Sequence, residues 1–170
     1  MISLRPIDTS NYRECLGLSV APEQERFVAS NRQSLADAYV WRDAAEPYAI
    51  YAGDEMVGFA MLFPLVEGVP RYPVPVDATL RGYVLVRLMI DARFQGRGYG
   101  REALAAIVET VRGRGLATIR LSVIPQNEQA LEFYRRNGFD ETGEIQEGEI
   151  VMERHIAACS HADANQDSCS

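Results

Sequence analysis

A strand-like apolar segment in this chain runs directly into a glycine-rich loop and then into a helix-like segment. The apolar segment, Tyr83–Ile90, is interrupted only by Arg87, which is typical of a strand covered on both faces. Every second residue of segment 95–100 is a glycine (Gly96, Gly98 and Gly100). Segment 98–114 then carries apolar residues at helical spacing. A short β-branched segment follows at 118–124, so the order predicts a right-handed strand–helix–strand crossover.

The repeated glycines indicate a phosphate-binding loop. A glycine in a helix costs about 0.5–1 kcal/mol relative to alanine, so a compensating interaction is expected. Unpaired N–H groups and the positive end of the helix dipole make a helix start suited to a phosphate. Arg97 and Arg101 add positive charge in the same turn. The alternative interpretation is a glycine-rich turn without a ligand.

Two other phosphate-binding loops are excluded by spacing. The P-loop requires a Lys followed by Ser or Thr after its last glycine, and no lysine follows Gly100. The dinucleotide fingerprint requires two residues between its second and third glycines and follows the first strand of its domain, whereas the strand here begins at Tyr83.

The remaining segments predict one mixed α/β domain over residues 1–156, followed by a disordered C-terminal tail at 157–170. The other predicted elements are a strand at 2–7, two helices interrupted near Pro22 with the second over 23–40, a hairpin of strands at 47–52 and 57–63, a helix at 127–137, and one or two strands within 139–156. The Pro-rich segment between Pro64 and Gly82 is interpreted as a substrate-side loop or an inert connection.

Charge and composition exclude several classes of protein. The net charge of −7 argues against nucleic acid as a partner, because phosphate backbones are bound by clustered cations. No run approaches the roughly 18 apolar residues of a membrane span, and the N-terminus lacks a secretory signal, so a cytoplasmic protein is expected. The three cysteines have no metal-like spacing, and Cys15 is expected in the core; neither a metal nor a disulfide is predicted.

Two segments resemble the signatures of the GNAT N-acetyltransferase superfamily. Residues 88–100 are similar to its cofactor segment, whose loop reads Gln/Arg-x-x-Gly-x-Gly/Ala, and Asn127, Ala130, Tyr134 and Gly138–Phe139 are similar to its second segment. The resemblance covers residues 2–156. It implies an α/β (α+β) acyl-CoA N-acyltransferase fold in which helices flank a central, mostly antiparallel sheet, splayed between the strand at 83–90 and the strand at 118–124.

The same resemblance implies that acetyl-CoA binds in the splayed opening, with its pyrophosphate on the loop amides and its pantetheine arm along the preceding strand. The implied cofactor-binding residues are Leu88, Met89, Ile90, Gln95, Gly96, Arg97, Gly98, Tyr99, Gly100, Arg101, Asn127 and Tyr134.

The chemistry implied by the resemblance is direct attack of an amine on the thioester. Tyr134 matches the family's general acid, and a tyrosine with a pKa near 10 is protonated at neutral pH. The alternative for Tyr134 is a core aromatic on a helix face. The oxyanion is expected to meet a backbone N–H of the strand, that of Met89.

Four carboxylates are candidates for binding the acceptor or for taking its proton. Glu23 and Glu25 stand near the junction of the two early helices, and Glu67 and Asp77 stand in the Pro-rich segment. Each could instead be a solvated surface carboxylate.

Within the superfamily the chain looks most like the bacterial spermine/spermidine acetyltransferases. It departs from that pattern at Val86, where an acidic residue usually precedes the strand's Arg, and in its longer Pro-rich segment. Three hypotheses therefore stay open: acetylation of a small amine with a polyamine foremost, acetylation of a protein N-terminus or lysine, and a non-catalytic acyl-CoA sensor. The resemblance is also compatible with a homodimer.

Overall fold

The computed structural model of the protein describes residues 1–67 and 80–156. Within these residues the strands are β1 (Ile2–Pro6), β2 (Glu46–Ala52), β3 (Glu55–Leu65), β4 (Gly82–Ile90), β5 (Thr118–Val123), β6 (Asp140–Gln146) and β7 (Glu149–His155). The α-helices are α1 (Tyr12–Leu16), α2 (Asn31–Val40), α3 (Tyr99–Gly113) and α4 (Glu128–Arg136), with 3₁₀ turns at Pro22–Gln24 and Ala92–Phe94.

All seven strands form one sheet in the order β1-β2-β3-β4-β5-β7-β6. Every neighbouring pair is antiparallel except β4 and β5, which are parallel and are joined through α3 as the predicted crossover. The expected mixed, mostly antiparallel sheet is therefore confirmed.

Helices cover both faces of the sheet because the central strands are apolar on both sides. Phe59, Met61 and Phe63 of β3 pack in one core cluster with Cys15 of α1 and Ala38 of α2. The alternate side chains of the same strand face a second, larger core cluster, to which α3 and α4 contribute apolar residues. The site lies where these two layers meet the end of β4.

The sheet is splayed between its two parallel strands. Only Tyr83 and Val84 of β4 pair with β5, opposite Ile119 and Arg120. The register between β3 and β4 also shifts between Met61 and Leu62. From Leu85 onward β4 keeps β3 as its partner and leaves its other edge open, which produces the predicted opening.

The second predicted helix is shorter than expected. It was predicted over 23–40 and begins at Asn31, where the Ser30 side chain accepts a hydrogen bond from the Gln33 N–H at 3.3 Å. Pro22–Gln24 forms a 3₁₀ turn, and the segment that follows stays non-helical as it approaches the sheet's open edge. A strong N-cap at Ser30 thus sets the helix start.

The predicted Pro-rich loop is shorter at both ends than expected. Pro64 lies in β3 opposite Tyr83, and Gly82 lies in β4 opposite Leu65. Most of this segment, at 68–79, lies outside the described residues, as does the predicted tail at 157–170. Among the helices in the described part of the chain, none has the length and apolar character that a membrane crossing requires.

Candidate active site

A cleft with two lobes occupies the open edge of β4. The loop lobe, about 430 Å³, lies over segment 95–101, and the wide lobe, about 660 Å³, lies between β4, β5 and the β6–β7 turn. Six residues border both lobes: Phe27, Val28, Leu88, Asn127, Ala130 and Tyr134. The two lobes therefore form one continuous cleft with these residues at the junction.

Two glycines of the loop adopt left-handed backbone conformations. Gly96 has φ +75° and Gly98 has φ +85°, values that side-chain-bearing residues rarely adopt. Gly98 is the N-cap of α3 without a side-chain cap, so the first N–H groups of the helix are left to an external acceptor. A Cβ on either glycine would meet no heavy atom within 4 Å, which leaves open space above the loop. This geometry suits a bound phosphate.

The two loop arginines differ in their surroundings. Arg97 donates to the Arg93 carbonyl at 3.1 Å and lies over the Phe94 ring at 5.5 Å, on the outside of the loop. Arg101 borders the loop lobe. Arg101 is therefore better placed than Arg97 to face a phosphate.

Gln95 holds the loop to the neighbouring segments. Its Nε2 donates to the Gln24 side-chain oxygen at 2.8 Å and to the Ile90 carbonyl at 2.9 Å. Both amide protons are thus engaged within the protein. Gln95 positions the loop, in addition to bordering the loop lobe.

Asp91 fastens the segment after α1 to the start of the same loop. It is 2% exposed and accepts hydrogen bonds from the Ser19 N–H at 3.0 Å and from Arg93 Nε at 2.7 Å. The Ala92 N–H returns a bond to the Ser19 carbonyl at 2.8 Å. Burial alone would raise the pKa of Asp91, but the bonds from Arg93 and Ser19 outweigh it and hold that pKa below its usual value. The sequence analysis did not identify Asp91 as a residue that positions the loop. An Asp directly after a buried strand could have indicated it, because such a side chain often bonds the backbone of the following turn.

The edge of β4 that faces the cleft is set by its register with β3. The Asp91 N–H donates to the Val57 carbonyl at 2.9 Å. Backbone groups of alternate residues point to the same edge of a strand, so the N–H of Met89 also faces β3. The N–H groups of Leu88 and Ile90 face the open edge. The Met89 N–H, which was expected to meet the oxyanion, is therefore directed toward β3, whereas the N–H of Leu88, which borders both lobes, is directed toward the cleft.

Tyr134 stands at the junction of the lobes. Its ring makes edge contacts with Phe133 at 5.2 Å and with Phe139 at 5.5 Å between centroids. Its hydroxyl has no hydrogen bond to any residue that the structure describes, and burial raises the pKa of Tyr134 above its usual value. The residue thus presents a protonated donor to the cleft at neutral pH.

Asn127 also borders both lobes. Its side-chain oxygen accepts from the Ala130 N–H at 3.2 Å and caps α4. The cap orients the Asn127 amide NH₂ group, which makes no hydrogen bond within the described ranges 1–67 and 80–156. A donor on this residue is therefore available to a ligand in the cleft.

The three predicted carboxylates that the structure describes are not brought together at the cleft. Glu25 borders the wide lobe, and Glu23 does not border either lobe. Glu67 forms an exposed ion pair with Arg81 at 3.6 Å. Asp77 lies outside the described residues. Of the three described members of this set, Glu25 is the one at the cleft.

Two further carboxylates border the wide lobe from the β6–β7 hairpin. Glu147 has φ +48° in the tight turn between these strands, and Glu149 accepts a hydrogen bond from the Ser122 hydroxyl. Arg120 also borders the lobe, but its charge is matched by Glu153 and by Glu144. The hairpin thus adds negative charge to this wall.

Arg87 borders the wide lobe with an unusual environment. One of its nitrogens lies 3.8 Å from an Asp37 oxygen, and Nη1 donates to the Val86 carbonyl at 2.9 Å. Its Nε is buried and has no hydrogen-bond partner among the described residues. A buried N–H without a partner is uncommon and favours a ligand oxygen or a water at this point.

Cys15 lies in the core, as predicted. It is fully buried, and burial raises its pKa to about 11, so the thiol stays protonated and is unsuited to nucleophilic attack. In the described part of the chain, no group of three or more His, Cys, Asp or Glu side chains is arranged to hold a metal.

Comparisons with known proteins agree with this geometry. The model of the acetyltransferase (GNAT) family matches residues 12–139. The spermine/spermidine N(1)-acetyltransferase of Bacillus subtilis (strain 168) is 30% identical over 160 residues, which cover 91% of this chain and 99% of that protein.

Two solved structures share the fold at low sequence identity. An aminoglycoside acetyltransferase in complex with coenzyme A has a TM-score of 0.70 at 17% identity, over 91% of this chain and 95% of that chain. A spermidine N-acetyltransferase from Vibrio cholerae in complex with CoA and spermine has a TM-score of 0.64 at 17% identity, with the same coverage of both chains.

Proposed function

This chain belongs to the acetyltransferase (GNAT) family and is an acetyl-CoA-dependent N-acetyltransferase, and we propose that its acceptor is a polyamine or a similar small amine. The observation that carries the choice of acceptor is the negative charge of the wide lobe, next to Tyr134. The similarity to the Bacillus subtilis enzyme over almost its whole length supports the same choice.

The donor is proposed to lie in the loop lobe. Its pyrophosphate rests on the amides of residues 96–101, where the helix dipole and Arg101 favour negative charge. The pantetheine arm pairs with the open edge of β4 at the Leu88 carbonyl and the Ile90 N–H, as an added strand would. The amide of Asn127 donates to the same arm. This placement brings the thioester to the junction of the lobes.

The proposed reaction uses the groups at that junction. The neutral amine attacks the thioester carbonyl from the wide lobe, a C–N bond forms, and the oxyanion accepts the N–H of Leu88. The C–S bond then breaks, and the Tyr134 hydroxyl donates its proton to the departing thiolate. The proton lost by the amine passes through water to the Tyr134 phenolate and restores its hydroxyl group.

The acceptor's charged end is proposed to bind the carboxylates of the wide lobe. Glu25 comes from the segment before α2, and Glu147 and Glu149 come from the β6–β7 hairpin, so they line the lobe from two sides. Arg120 is neutralised by its own ion pairs, and Arg87 faces Asp37. Arg26 also borders the lobe, lies over the Phe27 ring and offsets one of the three carboxylates, which leaves an excess of negative charge. The remaining charge is complementary to the ammonium groups of a polyamine.

Thiol release can be measured with spermidine, a monoamine of similar length, an aminoglycoside and a short peptide. We expect kcat/KM for spermidine to exceed that for the monoamine by about tenfold or more, because a second ammonium group adds a charge-assisted hydrogen bond. Glu149→Gln should raise the KM for spermidine without changing that for the monoamine.

Glu141→Gln is the control for this variant, since Glu141 lies on the same hairpin and pairs with Arg135 away from the cleft. Equal efficiency with monoamine and spermidine would exclude the polyamine, and binding of acetyl-CoA without turnover of any amine would exclude an enzyme of this kind.

A peptide N-terminus is a second candidate acceptor, favoured by Arg87. Arg87 borders the wide lobe, and its Nε is buried without a partner among the described residues. A peptide carbonyl that displaces the neighbouring side chains from this Nε would satisfy it. In the same thiol-release experiment, a kcat/KM for the peptide above that for spermidine would favour this acceptor.

The pH profile should lack an alkaline decline in the ordinary range. A general acid must be protonated, and burial raises the pKa of Tyr134 above the usual value of about 10, so the protonated form persists below pH 10. We therefore expect kcat/KM to rise with pH up to about pH 10 as the acceptor amine loses its proton, without a decline from loss of the Tyr134 proton in this range. An alkaline limb with an apparent pKa of about 8–9 that disappears in Tyr134→Phe would contradict the assigned environment.

A further inference from the structure

A third cavity lies outside the cleft, in the groove between α3 and the C-terminal end of α4. Its volume is about 400 Å³, and four arginines border it: Arg101, Arg112, Arg136 and Arg154. Glu109 is the one acidic residue among its lining residues, in a chain whose net charge is −7. The local charge is therefore opposite to that of the whole protein.

The positive charge of this arginine cavity is only partly matched. Arg112 pairs with Glu109, and Arg136 pairs with Glu132 at 2.6 Å on an exposed helix face. Arg101 and Arg154 have no carboxylate partner within residues 1–67 and 80–156. These two guanidinium groups are thus left with hydrogen-bonding capacity for an anion. So are the Nη groups of Arg136, which bonds Glu132 through Nε alone among the described residues.

Arg154 is held in place at the end of α4. Its Nη1 donates to the Asn137 carbonyl at 2.9 Å. Its side chain lies against Gly138, where a Cβ would stand 3.6 Å from the Arg154 Nε, and Gly138 has φ +80°. The guanidinium is therefore fixed before any ligand arrives, which reduces the entropy lost on binding.

Arg101 connects this cavity to the loop lobe, since it borders both. It stands in the first turn of α3, where the donor's pyrophosphate is proposed to bind, and Ala105 of the arginine cavity lies about 6 Å further along the helix at 1.5 Å per residue. A phosphate on the ribose attached to that pyrophosphate can reach this near end of the groove.

We propose that Arg101, Arg136 and Arg154 bind the 3′-phosphate of acetyl-CoA, so that the enzyme distinguishes acetyl-CoA from its 3′-dephospho form. This inference rests on the donor placement given under Proposed function. The 3′-phosphate is a dianion with several acceptor oxygens, and planar guanidinium groups are suited to it.

The test compares the KM values for acetyl-CoA and 3′-dephospho-acetyl-CoA in the wild type, Arg154→Gln and Arg136→Gln. We expect the wild type to have about a tenfold lower KM for acetyl-CoA at equal kcat, which corresponds to about 1.4 kcal/mol. Each variant should lose most of that preference by raising the KM for acetyl-CoA alone. Arg135→Gln is the matched control, since Arg135 is adjacent in sequence, pairs with Glu141 and does not border the cavity.

Calorimetry measures the dissociation constants of CoA and dephospho-CoA without turnover. This comparison therefore tests the inference even if the proposed acceptor is wrong. Equal affinity of the wild type for the two donors would overturn the inference. So would a variant that loses affinity for both donors equally, because that result indicates a structural role for the arginine.

Discussion

Replacing Tyr134 by Phe is expected to lower kcat by about 10²- to 10⁴-fold, the range of a lost general acid. The substitution keeps the ring contacts with Phe133 and Phe139 and removes only the hydroxyl, which has no hydrogen bond within the described residues. The KM for acetyl-CoA should therefore stay within about twofold, since the interaction is made only in the transition state. Steady-state thiol release with spermidine as acceptor measures both constants.

The control for this variant is Tyr39→Phe on α2. The Tyr39 side chain is 73% exposed and borders neither lobe, so its hydroxyl has no part in the reaction. An unchanged kcat in Tyr134→Phe would remove Tyr134 as the acid and leave water as the proton donor to the thiolate.

Gly58→Ala is expected to lower the free energy of unfolding by about 2–3 kcal/mol, because β3 and β4 are packed so closely at Gly58 that a methyl group cannot be added without moving the backbone. A Cβ at Gly58 would lie 2.4 Å from the Met89 carbonyl oxygen and 2.9 Å from the Ile90 Cδ1. Relief requires β4 to shift toward the cleft, so the KM for acetyl-CoA should rise in the same variant. Urea unfolding and steady-state kinetics measure the two effects.

Gly113→Ala is the matched control. Gly113 is the last residue of α3, and a Cβ there would meet nothing within 4 Å. Helix propensity predicts that this alanine leaves stability unchanged or raises it by up to about 1 kcal/mol. Equal losses of stability in the two variants would contradict the claim that glycine is required at position 58 by the close approach of β3 and β4.

The part of the site that could be predicted from sequence is the part built by local pattern. The strand, the glycine loop and α3 are contiguous, so Gly96 and Gly98 were found from their spacing alone. Asn127 and Tyr134 were placed in the predicted site by their match to one family segment, and the structure shows both at the cleft, with Asn127 capping the short helix that carries Tyr134. Such signals need no knowledge of which strands pair.

The part that could not be predicted depends on pairing between distant segments. The choice between Met89 and Leu88 follows from the register of β4 against β3, which one bulge is enough to alter. Glu147 and Glu149 reach the wide lobe only because β7 lies beside β5. Neither relation leaves a trace in the local sequence.

The helix predicted over 23–40 was too long for a related reason: residues 31–40 are helical, and residues 25–30 are not. Apolar spacing suggested continuity, but Gln24 is bonded to Gln95 across the sheet's open edge. A continuous helix would compete with that contact. Tertiary hydrogen bonding here overrides local helix propensity.

The cations of the arginine cavity between α3 and α4 cannot be acetylated by the reactive donor that this enzyme binds. All 17 cationic side chains of the chain are arginines, and the sequence contains no lysine. A guanidinium stays protonated at every physiological pH and does not attack a thioester, whereas a lysine amine can lose its proton and become acetylated. The positive charge around this groove is therefore immune to the enzyme's own chemistry, however high the concentration of acetyl-CoA becomes.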